Sequence, residues 1–297
     1  MALKGIKPEV VKPQKPKILI SGPAGSRKSS FVLNAPAPFY IDTESGITRE
    51  QYQKKLAQQG GLYFGPAEGS QDFVEITAQI KELATTKHPY KSIVVDSLTK
   101  PFRLEMFAAE DRGVSSEFKK SQKEAERGAR KLMNWLMRPD LDFPVFLICH
   151  IKDKWTKGEN KELIKEGSIW DGPEKLDYDL DLWLETQFSG QDVYSVVKKS
   201  RVEGFVTGAK MAFDFETFKK MYGAAVIDRP IQPIILASAD QIKQLNHFVE
   251  ILKVPQEDLD KWLLKAQATE IEDLSQGNAD IMLKFLKDKI DGKEVKK

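Results

Sequence analysis

Cysteine is almost missing from this chain: there is one in 297 residues, Cys149. A single thiol excludes an intramolecular disulfide and fits a reducing compartment. It lies in an apolar run and reads as a buried structural thiol. Long apolar runs are missing too. No stretch approaches the ~20 apolar residues of a membrane helix, so no membrane contact is expected. An excess of one charge is also absent, with 46 Lys+Arg against 44 Asp+Glu. The totals therefore argue for no partner, and any nucleic-acid contact must come from local clusters. The segment Met1 to Lys17 is rich in lysine and proline without an apolar core. It reads as a flexible basic arm over 1–16, not as a secretory signal. No internal repeat is visible.

What is present alternates. Apolar runs at Lys17–Ser21, Pro38–Asp42, Ser92–Asp96 and Phe143–His150 read as strands, as do Leu180–Thr186 and Val193–Lys199. Ser29–Asn34, Gln71–Thr85, Leu98–Arg112 and Glu117–Met137 carry helical spacing or follow a turn. Strands that are apolar on both faces and alternate with helices predict an α/β fold with a mostly parallel sheet covered on both sides. Ligands of such sheets sit at the carboxyl ends of the strands. Those ends carry a glycine-rich turn, Asp42 and Glu44, Asp96 and His150. A core over 17–228 is followed by a linker at 229–237 and a small all-α domain at 238–297. Its helices are expected at Asp240–Leu252, Gln256–Ala266 and Asn278–Ile290, with Ser238 as an N-cap and Pro255 as a first helical residue. The last residues, from Gly292, are expected to fray.

The turn after the first strand is Gly22-Pro23-Ala24-Gly25-Ser26-Arg27-Lys28-Ser29, with Ser30 following. This is a phosphate-binding P-loop. Gly22 and Gly25 permit the tight backbone, Lys28 supplies a cation for the terminal phosphates, and Ser29 supplies a hydroxyl for Mg²⁺. ATP with Mg²⁺ is the expected ligand. Arg27 stands where the usual pattern has glycine. Either it strains a loop that needs a glycine-like backbone, or it points outward. Asp96 closes an apolar strand and suits the Mg²⁺ role. Glu44 is placed to activate water, with Asp42 the weaker candidate. His150 would sense the γ-phosphate or position water, or is simply a satisfied histidine at a strand end.

Phe39-Tyr-Ile-Asp-Thr-Glu-Ser45 and Ile93-Val-Val-Asp-Ser-Leu98 resemble the catalytic-glutamate and Mg²⁺ strands of RecA-like ATPases. Val197-Lys-Lys-Ser-Arg-Val-Glu-Gly204 resembles the Lys-x-Arg segment that related ring and filament ATPases insert into a neighbouring subunit's site. The resemblance implies that Lys199 and Arg201 act in trans and that the chain self-assembles with intersubunit ATP sites. Over Lys17–Tyr222, including a strand at Phe213–Glu216, the chain is most similar to compact phage-encoded RecA-like proteins, among them the Sak-type single-strand annealing recombinases. That implies an ATPase acting on single-stranded DNA in phage recombination, in the host cytoplasm. The C-terminal helices resemble small modules appended to phage recombination proteins and would engage a protein partner.

Two segments are candidates for DNA. Lys119, Lys120, Lys123, Arg127, Arg130 and Lys131 outnumber Glu124 and Glu126, and most of them share one helical face. The stretch Ile151–Lys175 places Trp155 and Trp170 among lysines, as base stacking would require. Its charges balance, however, so a long solvated loop or hairpin is the alternative. Within the N-terminal arm, Lys4, Lys7, Lys12, Lys15 and Lys17 against Glu9 would contact phosphates without sequence preference. Two other functions compete: a nucleotide-regulated interaction scaffold with slow or no hydrolysis, and a small-molecule kinase. The kinase is disfavoured because no arginine-rich lid is visible.

Overall fold

The structure, a computed structural model, describes residues 12–157 and 162–292. Lys4, Lys7, Glu9, Glu159, Lys161 and the residues after Gly292 lie outside the described residues. The core opens with β1 (Lys17–Ser21), α1 (Lys28–Val32), β2 (Pro38–Asp42), α2 (Glu50–Gln58), β3 (Leu62–Phe64), α3 (Phe73–Thr85) and β4 (Ser92–Asp96). It continues with α4 (Thr99–Asp111), α5 (Lys120–Leu136), β5 (Val145–Lys157), β6 (Leu163–Asp171), α6 (Leu176–Asp179), β7 (Leu182–Ser189) and β8 (Asp192–Ser200). Then come β9 (Lys210–Ala212), α7 (Phe215–Tyr222) and α8 (Ala224–Ile227), followed by α9 (Ala239–Ile251), α10 (Gln256–Lys265) and α11 (Gln276–Ile290).

The sheet order is β3-β2-β4-β5-β1-β7-β8-β9. Strands β3 through β7 in that order run parallel, while β8 and β9 are antiparallel additions. Both faces are covered. Helices α3, α4 and α5 pack on one face around Ile76, Ile80, Phe102, Leu132 and Trp135. Helices α1, α7 and α8 pack on the other around Phe31, Phe215, Phe218 and Ile227. This two-sided burial is why the central residues of β1, β2 and β4 are apolar or aromatic, and it gives the expected α/β fold with a mostly parallel sheet.

Strand β5 runs on past the sheet and pairs with β6 as an antiparallel ribbon. The expected loop or hairpin at 151–175 is therefore a hairpin. Phe213–Glu216 is not a strand: Asp214 caps α7 by accepting from Glu216 N and Thr217 N, so the segment turns into a helix. At the amino terminus, Lys15 and Lys17 are buried. Lys17 Nζ donates to Leu141 O and Phe143 O, and Lys15 Nζ donates to Arg229 O, so neither is available to a phosphate.

Helices α9–α11 enclose a separate core of Leu245, Leu263, Leu274, Met282 and Leu286. Ser238 builds a full capping box with Gln241. Pro255 stands at the cap of α10 rather than inside it. The segment between core and module runs along the core, with Ile234 N donating to Ala84 O. Asp273, fully buried, fastens the module: Lys81 Nζ reaches its carboxylate at 2.8 Å, and Arg138 donates to its backbone carbonyl at 2.6 Å.

Candidate functional site

Register places the site. Asp42 stands beside Asp96, Asp96 beside Ile148, and Ser21 beside Cys149. The ends of β1, β2, β4 and the sheet part of β5 thus share one rung, and the loop Gly22–Arg27 leaves from it. A Cβ on Gly22 would lie 1.8 Å from Thr186 Oγ1, so β7 presses directly on the loop and only glycine fits. Ser26 Oγ meets the same Thr186 hydroxyl at 2.6 Å. Lys28 Nζ arches back to Gly22 O at 3.0 Å and Pro23 O at 2.7 Å. Burial lowers the Lys28 pKa, and the charges of Asp96 and Glu44 oppose that shift.

Arg27 adopts φ 60, ψ 18, the left-handed region. Both halves of the expectation hold: the position does need a glycine-like backbone, and the side chain does point outward, with its guanidinium donating to Gln191 O in the β7–β8 turn. The left-handed conformation costs a non-glycine residue about 1–2 kcal/mol.

Ser29 Oγ donates to Asp96 Oδ2 at 2.6 Å. Tyr40, buried in the middle of β2, donates its hydroxyl to the same oxygen. Burial raises the Asp96 pKa against these two donors, and the neighbouring charges of Glu44 and Asp42 push the same way. Glu44 Oε1 accepts from Ser97 Oγ at 2.5 Å and lies 3.0 Å from His150 Nε2. The His150 hydrogen bond is the main cause of a lowered Glu44 pKa, and Ser97 adds to it. Asp42 is fully engaged elsewhere, accepting from Glu44 N, Gly46 N and Ile47 N, so it shapes the turn that presents Glu44.

The fold therefore brings together the P-loop, Ser29, Asp96, Glu44 and His150. Lys199 and Arg201 are not with them. Ser200 pairs with Leu182 at the start of β7, and Leu182 pairs with Ile18 at the start of β1. Both basic residues thus sit at the amino edge of the sheet, where they bond Leu180 O and Tyr178 O. Four rises of β1 separate that edge from the P-loop, about 13 Å. Neither side chain serves phosphates held by its own chain.

The DNA candidates are thinned. Trp170 is buried, and its Nε1 donates to Pro173 O, so it offers no face for stacking. Trp155 stays exposed on the ribbon. Three ribbon lysines are neutralised across the strands, Lys154 by Glu166, Lys165 by Asp153 and Lys152 by Asp171. On α5 and the turn before it, Lys119 pairs with Glu174, Arg127 with Glu124 and Lys131 with Glu270. Among the described residues, Lys120, Lys123 and Arg130 form no ion pair. Tyr40 and Ser97 received no role from the sequence, although each lies within a quoted segment; an interior tyrosine and a serine carry no signal until the strands are aligned.

A family model described as an AAA domain matches residues 14–211. The chain belongs to the AAA domain family. No curated protein matches it. A solved structure of a DnaB-like replicative helicase, described with its interactions with primase, is similar at 12% identity and a TM-score of 0.40, covering 66% of this chain and 56% of that one. With its P-loop on the strand-end rung, this AAA domain is a P-loop NTPase. Its residues suit a magnesium–nucleotide complex. Ser29 and Asp96 offer hard oxygens side by side, and Mg²⁺ is usually held by one or two protein oxygens together with phosphates and water. No helix among the described residues is long and apolar enough to cross a membrane.

Proposed function

We propose that this AAA domain binds ATP with Mg²⁺ and hydrolyses it as an oligomer acting on single-stranded DNA, in recombination or annealing. The observation that carries the reading is the Ser29–Asp96 contact of 2.6 Å, at the strand ends that also carry the P-loop and the Glu44–His150 pair. The loop from Gly22 to Ser30 and the Lys28 cation hold the phosphates. Ser29 and Asp96 would hold Mg²⁺, which when bound neutralises charge on the β- and γ-phosphate oxygens. Glu44, kept ionised, takes a proton from the attacking water. Its Oε1 is already occupied by Ser97 and His150, which leaves Oε2 for that proton. General-base action of this kind contributes typically ~10²–10⁴-fold.

The remoteness of Lys199 and Arg201 from their own P-loop supports a role in the neighbouring subunit, where a cation on the γ-phosphate is worth roughly 10³–10⁵ in rate. Lys120, Lys123, Arg130 and Trp155 support the DNA part. ATPase assays with and without single-stranded DNA test the whole. Wild type is expected to be stimulated by DNA, Lys28→Ala to be inactive, and Arg201→Ala to lose at least about 10²-fold. DNA binding is expected to weaken steeply with salt. Full activity in Arg201→Ala removes the trans role, and the absence of salt-sensitive DNA binding removes the DNA role.

Arg27 favours a second reading, a nucleotide-regulated interaction scaffold with slow hydrolysis, whose C-terminal helices engage a protein. Its backbone strain and its tie to Gln191 would make the loop a holder of nucleotide rather than a fast catalyst. Brisk turnover dependent on Lys28 and Glu44 excludes it.

A further inference from the structure

The geometry points to Tyr40 as a positioning residue for the divalent cation, an inference that rests on the magnesium–nucleotide reading above. Tyr40 lies at the centre of β2 and is 2% exposed. A phenylalanine would fill the same core, so the hydroxyl needs its own explanation: a buried phenol requires a partner. That partner is Asp96 Oδ2, one strand away. Ser29 Oγ donates to the same oxygen at 2.6 Å. Among the described residues no protein donor reaches Oδ1.

The two donors divide the carboxylate into a fixed half and a free half. With Oδ2 pinned from behind by Tyr40, the torsion that turns an aspartate carboxylate, otherwise broad, is locked. Oδ2 then stays where the Ser29 hydroxyl can donate a hydrogen bond to it, which leaves the lone pairs of Ser29 free for a cation. Oδ1 is left free of protein donors and would serve a cation or its water. Without the phenol, Ser29 alone holds Asp96, and one contact does not fix a plane. Tyr40 touches neither nucleotide nor reacting atoms. Its effect is on cation affinity, transmitted through Asp96.

The test uses the full chain and Tyr40→Phe, which removes one oxygen and keeps the core. Binding of Mn²⁺ in the presence of ADP is followed by electron paramagnetic resonance, and binding of a fluorescent ADP analogue is measured in EDTA. Partners that orient metal ligands typically change metal affinity by ~10–100-fold, and a loss of about tenfold in Mn²⁺ affinity is expected here. ADP affinity in EDTA should stay within about twofold, and Tyr40→Phe should add nothing to Asp96→Asn, because both act through the Asp96 carboxylate. Unchanged Mn²⁺ affinity overturns the inference. So does an equal loss of ADP binding in EDTA, which would make Tyr40 a packing residue. If wild type binds neither ADP nor Mn²⁺ with ADP, the nucleotide reading itself falls. Normal wild-type binding with an unaffected Tyr40→Phe sinks the role of Tyr40 alone.

Discussion

At the scale of the residue, Arg27 concentrates the tension of the site. Its φ of 60 belongs to glycine, yet its side chain finds Gln191 O. Arg27→Gly relieves the left-handed backbone, worth about 1–2 kcal/mol, but adds unfolded-chain freedom worth roughly 0.5–1 kcal/mol. Chemical denaturation is therefore expected to show a gain of no more than about 1.5 kcal/mol, with turnover equal to or faster than wild type. Slower turnover in Arg27→Gly would mean that the tie to Gln191 assists catalysis. The P-loop residues were legible in the sequence because their pattern is local. The positions of Asp96 and Glu44 were legible because the first ends a strand and the second follows one by two residues. Tyr40 and Ser97 were not, since their contacts join residues 56 and 53 positions apart. Trp170 misled for the opposite reason: lysines surround it in sequence, while in space it packs edge-on to Trp183.

At the scale of the element, β1 shows what a two-sided parallel sheet demands. Lys17 opens the strand, and burial lowers its pKa to about 7 against the pull of Asp181, Asp142 and Asp140. A neutral amine has two N–H groups, which match the two carbonyls it meets, Leu141 O and Phe143 O. The folded pKa lies below the unfolded value of 10.5. Between the two, the unfolded chain holds more protons, so the contribution of Lys17 to stability rises with pH over that window and is at its minimum below it. The slope reaches at most about 1.4 kcal/mol per pH unit. Melting temperatures between pH 7 and 9.5 are expected to climb less steeply in Lys17→Met than in wild type; parallel curves would contradict the burial argument. The strands of the core were readable as apolar runs and the longer helices by period. Helix α2 was not, because Leu56 is its one buried residue. The three-residue β3 is too short to show a period. The strand that the resemblance implies at Phe213–Glu216 gives way to a helix start, because Asp214 caps α7.

At the scale of the whole molecule, the C-terminal module was visible as three amphipathic helices, and its attachment was not. Asp273 reads as one acid among several, yet Lys81, Thr269 and, through its carbonyl, Arg138 converge on it. Asp273→Ala leaves Lys81 and Thr269 without their acceptor. Removing one partner of a buried pair costs about 3–5 kcal/mol, and roughly 2 is expected here because Lys81 reaches water. Hydrogen exchange should rise across 256–290 while β1, β2 and β4 stay protected; uniform protection would show that the module does not hang on this residue. The separation of the Lys199–Arg201 edge from the P-loop edge has a consequence for symmetry. If the two edges meet between chains, a two-fold dimer pairs them only by placing both junctions in one reciprocal interface; otherwise the contact is heterologous and repeats. Repetition of such a contact either closes or runs on. A closed ring serves every nucleotide, whereas an open filament always has one terminal subunit whose phosphates no neighbour reaches. Turnover per subunit in a filament would then depend on its length, and in a ring it would not.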